Sequence, residues 1–258
     1  MLIAATVLFL VLERCFPGRE LPHSKGWTVR ALLMNLAQLG ITLATAKLWS
    51  DLFGAASVFE LSRLDAPLAE GFIGWFVGTF FFYWWHRLRH VRGWWLAFHQ
   101  IHHSPSRIEI LTSFYKHPVE ILSDALLSAL VLYPLLGCSM VGAFWFNFFA
   151  ATGEYFYHGN LRTPKWLRHL IQTPELHSVH HQFDRHRYNY SDIPLWDRLF
   201  GTYKDATAFA ERCGFPEGAE QKLGQMLLFR DVYYDAAVSS SAQVEMTLSS
   251  SIIAPRTL

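Results

Sequence analysis

The 258-residue chain is 52% hydrophobic and 16% aromatic but only 17% charged, with a formal net charge of +1. Soluble domains carry about 25% charged residues, so this composition points to a membrane protein, and the lack of a basic block argues against a nucleic-acid partner. Three scattered cysteines, Cys15, Cys138 and Cys213, provide neither a disulfide framework nor a cysteine metal motif.

Residues 1–12, MLIAATVLFLVL, are apolar but shorter than the roughly 20 residues of a bilayer span. A tilted or truncated span, a signal-peptide core and an interfacial helix compete for them. No basic region precedes the run and no small-residue cleavage site follows it before Glu13-Arg14, which favours the span. Residues 14–30 are polar and turn-prone, with Pro17, Gly18, Pro22 and Gly26. A second apolar helix is expected from Leu32 to about Phe53, and a third from Leu68 to Trp85, running directly into the first cluster of histidines.

Segment 86–117 holds Arg87, Arg89, Arg92, Arg107 and Lys116. At roughly 2.5 to 3.5 kcal/mol each in the bilayer centre, these charges place it outside the hydrocarbon. Between Pro118 and Tyr157 there is no Lys or Arg, and Pro134 and Gly137 break the stretch near its middle, as in a helical hairpin that dips through the membrane and returns. Segments 14–30, 86–117 and 158–235 hold 4, 5 and 10 basic residues, whereas the opposite-side loop 47–67 holds only Lys47 and Arg63. The positive-inside rule then puts every histidine cluster on the cytoplasmic side. The expected fold is an all-α integral membrane helical bundle of about four to five transmembrane helices with a cytoplasmic histidine-rich cap. It forms one domain over residues 1–235, followed by a small-residue, polar tail at 236–258 that reads as disordered.

The histidines carry the chemistry. His86 and His90 stand in HRLRH, His99, His102 and His103 in HQIHH, and His177, His180 and His181 in HSVHH. On a helix, positions i, i+3 and i+4 share a face, so each cluster offers a metal-binding edge, and three edges can enclose more than one ion. Imidazole suits iron, zinc, copper and nickel. His158, in YFYHGN, re-enters the same layer after the hairpin. His23, His169 and His186 read as packing residues, and His117 as an interface residue at the start of the hairpin. Ligating imidazoles usually pass their second N–H to a carboxylate or carbonyl, for which Glu120, Asp124, Glu154, Glu175, Asp184, Asp192 and Asp197 are candidates.

HRLRH, HQIHH and TPELHSVHH, followed by NYSDIPLWDRLFGTY, resemble the fatty acid hydroxylase and sterol desaturase superfamily over residues 68–204. The resemblance implies a membrane-bound oxidoreductase with two iron ions, O2 as co-substrate, and hydroxylation or desaturation of a lipid drawn from the bilayer. Its ligands would be His86, His90, His99, His102, His103, His158, His177, His180 and His181. Where some members carry a further histidine pair, the first position here is Glu154, so that either Glu154, Asn160 or His117 completes the set or nine ligands suffice. The haem signature HPGG of a fused cytochrome b5 domain is absent, which implies a separate electron donor of ferredoxin or cytochrome b5 type. The alternatives are ether-lipid cleavage by the same centre, a histidine-rich metal transport or storage protein, and an inactive scaffold. Transporters place ligands at the bilayer midplane, unlike clusters interleaved with arginines beside it.

Overall fold

The structure is a computed structural model that describes residues 1–234; the tail expected at 236–258 lies outside the described residues. Among the described residues the chain is all-helical, with no strand. The helices are α1 (Leu2–Cys15), α2 (Trp27–Phe53), α3 (Pro67–Arg89), α4 (Arg92–Trp94), α5 (Gln100–His103), α6 (Pro118–Leu130), α7 (Met140–His158), α8 (Pro174–His180), α9 (Pro194–Leu199) and α10 (Leu223–Leu227). Two are long and apolar enough to cross a bilayer: α2, and α6 together with the turn that prolongs it to Leu135.

Several boundaries differ from the hydropathy reading: α3 runs on through the first histidine cluster to Arg89 rather than ending at Trp85, and the first two helices are longer as well. The first helix continues past residue 12 to Cys15 because Glu13 is buried and accepts the backbone N–H groups of Ile110 (2.9 Å) and Asn160 (2.8 Å), contacts invisible locally. The second starts at Trp27 rather than Leu32. Gly26, at φ 67°, turns the chain in the left-handed region, and the Trp27 ring is buried with Tyr115 at 5.1 Å.

Proline starts α3, α6, α8 and α9, where its missing N–H costs no helical bond. Side chains cap the helices that lead to the histidines: His117 accepts from Val119 N–H, Ser139 from Gly142 N–H and Thr173 from Leu176 N–H. The hairpin breaks where Pro134 and Gly137 predict. A wide π turn over Val131–Leu135 absorbs Pro134, and Gly137 takes φ 63°. The carbonyls freed there are not left bare. Val58, Phe59, Leu61 and Ser62 donate their N–H groups to Pro134, Leu135, Leu136 and Gly137 at 2.9–3.0 Å.

The central pair is α3 and α7, in contact through glycine. A Cβ on Gly71 would strike Trp145, and one on Gly142 would strike Glu70, so the backbones approach more closely than side chains allow. Flanking them, α1 packs against α7 and α2 against α6. One apolar core, around Leu132, Cys138 and Phe146, closes the hairpin end. The other, around Trp27, Ile101, Tyr115 and Met226, backs the helix that carries HQIHH.

Candidate metal centre

The first histidine pair ends α3, the HQIHH residues follow a π-helical turn over Trp95–His99 that runs into α5, and HSVHH ends α8. His158 is the last residue of α7. All nine predicted ligands converge into two groups. His86, His90, His99, His103 and His180 form one; His102, His158, His177 and His181 form the other; within each group the nitrogens lie within 4.8 Å of one another. Each of the two longer clusters is split. The i, i+4 pairs His99/His103 and His177/His181 stay together, while the remaining ring, His102 or His180, swings to the opposite group. The groups share a wall, with the His103 and His181 rings stacked at 4.2 Å.

Hydrogen bonding fixes the tautomers. A carbonyl can only accept, so His86 Nδ1 donates to Tyr190 O (2.6 Å), His158 Nδ1 to Glu154 O (2.9 Å) and His180 Nδ1 to Tyr188 O (2.7 Å). His99 Nδ1 donates to the Glu120 carboxylate at 2.9 Å. The Nε2 atoms of these four rings therefore present lone pairs. Those of His86 and His99 face each other at 3.0 Å, an arrangement that repels unless a cation lies between them. His90 Nε2, His102 Nδ1, His180 Nε2 and His181 Nδ1 are buried without a protein partner. Burial first, and then the neighbouring imidazoles, hold His99, His102, His103, His177 and His181 well below the usual histidine range and His180 at about 3, with Arg89 adding to the effect at His99 and His180. The rings are neutral near pH 7, the state that binds metal. This all-nitrogen donor set fits a pair of borderline transition-metal ions such as iron.

Outside the rings runs an unbroken line of buried charge. Glu120 pairs with Arg89, Arg89 with Asp124 (3.5 Å), Asp124 with Lys116 (3.5 Å), Lys116 with Glu154 (3.0 Å), and Glu154 with His158 (3.3 Å). It joins His99 of one group to His158 of the other. Burial alone would lower the Lys116 ammonium, but Glu154 and Asp124 outweigh it and leave it raised. Burial, then the charge of Glu154, pushes Asp192 up to about 7.

The closing motif supports the rings. Asp197 accepts from the N–H groups of Tyr190 (2.8 Å) and Ser191 (2.9 Å) and from Thr202 Oγ1 (2.7 Å), so WDRLFGT holds the loop whose Tyr190 and Tyr188 carbonyls orient His86 and His180. That loop places His186, Tyr188 and Asn189 at φ 42°, 72° and 49°, strain that its hydrogen bonds must offset.

Of the seven candidate carboxylates, Glu120 and Glu154 contact rings and Asp197 acts through Tyr190. Asp192 accepts from Tyr157 OH, Glu175 accepts from Thr163, Asp184 from Tyr233, and Asp124 bonds Trp85 and the buried cations. His117 caps α6 and Asn160 bonds Arg19, so neither lies in a group; Glu154 alone of the three stands beside one. His186, read as a packing residue, is buried with its Nδ1 3.2 Å from that of His103. The packing reading holds, with Trp95, Phe215 and Tyr233 against the ring, and the tertiary fold of the loop adds the contact with His103.

A recess of about 30 Å³, enough for one or two waters, opens among His86, His99, His102, His158 and His177. Beyond it, between α1, α2, α3, α6 and α7, lies a mainly apolar cavity of about 480 Å³.

Histidine groups that could hold metal ions, in an all-helical chain with two helices apolar enough to cross a bilayer, fit a membrane-associated class of protein. The fatty acid hydroxylase family model matches residues 71–202, and the chain belongs to that family. It is 30% identical over 143 residues to the very-long-chain aldehyde decarbonylase GL1-5 of Oryza sativa subsp. indica, covering 48% of this chain and 21% of the relative. It is 30% identical to the ornithine lipid hydroxylase OlsE of Rhizobium tropici, covering 51% and 40%, and 29% identical to the alkylglycerol monooxygenase of Xenopus tropicalis, covering 76% and 44%. The chain thus spans between about a fifth and less than half of the length of these relatives. No solved structure matches it.

Proposed function

We propose that the protein is a multi-pass membrane oxygenase that holds two iron ions in its two histidine groups and uses O2 to hydroxylate or desaturate a lipid. The observation that carries this reading is the pairing of five and four imidazoles, all but the half-buried His90 fully enclosed, around adjacent points, with lone pairs turned inward. Iron held there would supply O2 activation and C–H oxidation, which no side chain can perform. The protein's own residues supply the rest. Glu120, Tyr188, Tyr190 and the Glu154 carbonyl orient the rings, the buried ion pairs hold the groups in register, and the small recess limits water. In hydroxylation, substrate and O2 with two electrons and two protons give alcohol and water, so a reductant must deliver two electrons to the site.

Ether-lipid cleavage is the second reading, favoured by one observation: the likeness to the alkylglycerol monooxygenase covers 76% of this chain, beyond the family-matched core. Hydroxylation at the carbon next to an ether oxygen uses the same centre and leaves a product that collapses to aldehyde and alcohol. Comparative lipidomics of cells with the wild-type protein, with His102→Ala, or with neither tests both. A product one oxygen heavier or two hydrogens lighter than its precursor, seen with the wild type alone, supports an oxygenase. Loss of ether lipids with a matching aldehyde selects cleavage. Metal flux into vesicles without any lipid change would instead identify a transporter.

A further inference from the structure

The 480 Å³ cavity is within the size range of small-molecule sites, and its charged lining residues lie at one end. At the histidine end its wall is Lys116, Asp124, Glu154 and Asp192, and three of these, Lys116, Glu154 and Asp192, also line the recess at the ring nitrogens. Farther away the lining is mainly apolar. Its side opens between α1 and α2, where the lining residues Ile3, Val7, Leu36 and Leu39 are 81%, 53%, 62% and 48% exposed. Apolar lips of this kind suit entry from lipid.

Its far end is Phe146. The ring is buried in a notch on α3 made by Gly74 and Gly78, one turn apart on the same face. A Cβ at Gly78 would come within 2.8 Å of the ring, and behind it Leu132, Cys138 and Ala143 close the core. Phe146 lies twelve residues before His158 on α7 and Gly78 eight before His86 on α3, so the space is roughly 12 to 18 Å long at 1.5 Å per residue.

We propose that the cavity seats one alkyl chain of the lipid substrate, polar end toward the histidines and tail toward Phe146. The Phe146 ring then sets how long a tail fits when a carbon near the polar end lies beneath the centre. The inference rests on the oxygenase reading for the nature of the ligand; the geometry of the stop is independent of it. An extended single chain matches a long, side-opening, mostly apolar space whose charged groups gather at one end.

The test is displacement of bound cis-parinaric acid by n-alkanols of graded length from the purified, metal-loaded protein. In the wild type, affinity rises about fourfold per added methylene and then stops rising at a defined length. Phe146→Ala and the milder Phe146→Leu move that break to longer alkanols, and Gly78→Ala, which adds a methyl to the lining beside the ring, moves it to shorter ones. A break at one length in all four proteins, or none in the wild type, overturns the proposal. The lipidome comparison separates the two ideas. An unchanged lipidome with a shifted break removes the oxygenase and leaves the chain site; a shifted lipidome with an unmoved break does the reverse.

Discussion

Asp197 accepts the backbone N–H of Tyr190 at 2.8 Å, and the carbonyl of the same Tyr190 takes the Nδ1 proton of His86 at 2.6 Å. A carboxylate in the closing motif thereby determines which nitrogen of a distant imidazole is free to bind metal. Asp197→Asn replaces one acceptor oxygen with a donor and frees the loop. Outer partners of this type are worth about 10- to 100-fold in metal affinity. Chelator competition on the purified variant should show such a loss, and an unchanged affinity would contradict the role given to Asp197.

The two groups make separate demands on their rings. His102→Ala removes one of the four nitrogens of the smaller group and none of the larger, so bound metal should fall from about two per chain toward about one. His117→Ala should leave it unchanged, because that ring caps α6. Elemental analysis of both variants beside the wild type decides the point. Equal metal content in His102→Ala and wild type would remove His102 from the ligand set.

Lys116 is 6% exposed and lies between the carboxylates of Asp124 and Glu154. Lys116→Met keeps most of the side-chain volume but leaves the partly buried Glu154 without its cation, and Asp124 with Arg89 alone. Breaking a fully buried pair costs about 3 to 5 kcal/mol, and the partial exposure of both acids puts this loss below that range. The thermal midpoint in detergent should drop accordingly, and Glu154→Gln in the same background should recover part of the loss.

Acid should destabilise the metal-free protein. Burial holds His180 at about 3 and His186 at about 4, whereas unfolded histidine titrates near about 6.5. As pH falls through about 6.5 the unfolded chain takes up protons that the folded chain refuses, so stability declines from there to about pH 4 for His186 and about pH 3 for His180. Melting curves of chelator-stripped protein should show this slope, and metal should extend the stable range downward. A flat profile between about pH 7 and about pH 4 would mean that water reaches the rings.

Much of this architecture is legible in the chain. The stretch from Pro118 to Tyr157, free of Lys and Arg, marks the helical hairpin, Pro134 and Gly137 mark its turn, and the spacing of the histidines marks the rings that converge. Other features depend on tertiary placement. Periodicity puts His102 and His103 on one edge, but a difference of one residue is enough to send them to different groups once three helices meet. Glu13 reads as the end of an apolar run, yet it ties α1 to residues 110 and 160. His186 and the Arg89–Glu120 pair give no local signal, since neither a lone histidine nor an isolated charge shows what it will face.

The interleaving of the clusters bears on how the protein is loaded. A cation seated in either group draws α5 and α8 together, because each helix contributes rings to both. The first ion to arrive therefore meets most of the ordering cost for the second, and filling should be cooperative, with singly occupied molecules scarce at every stage of a titration.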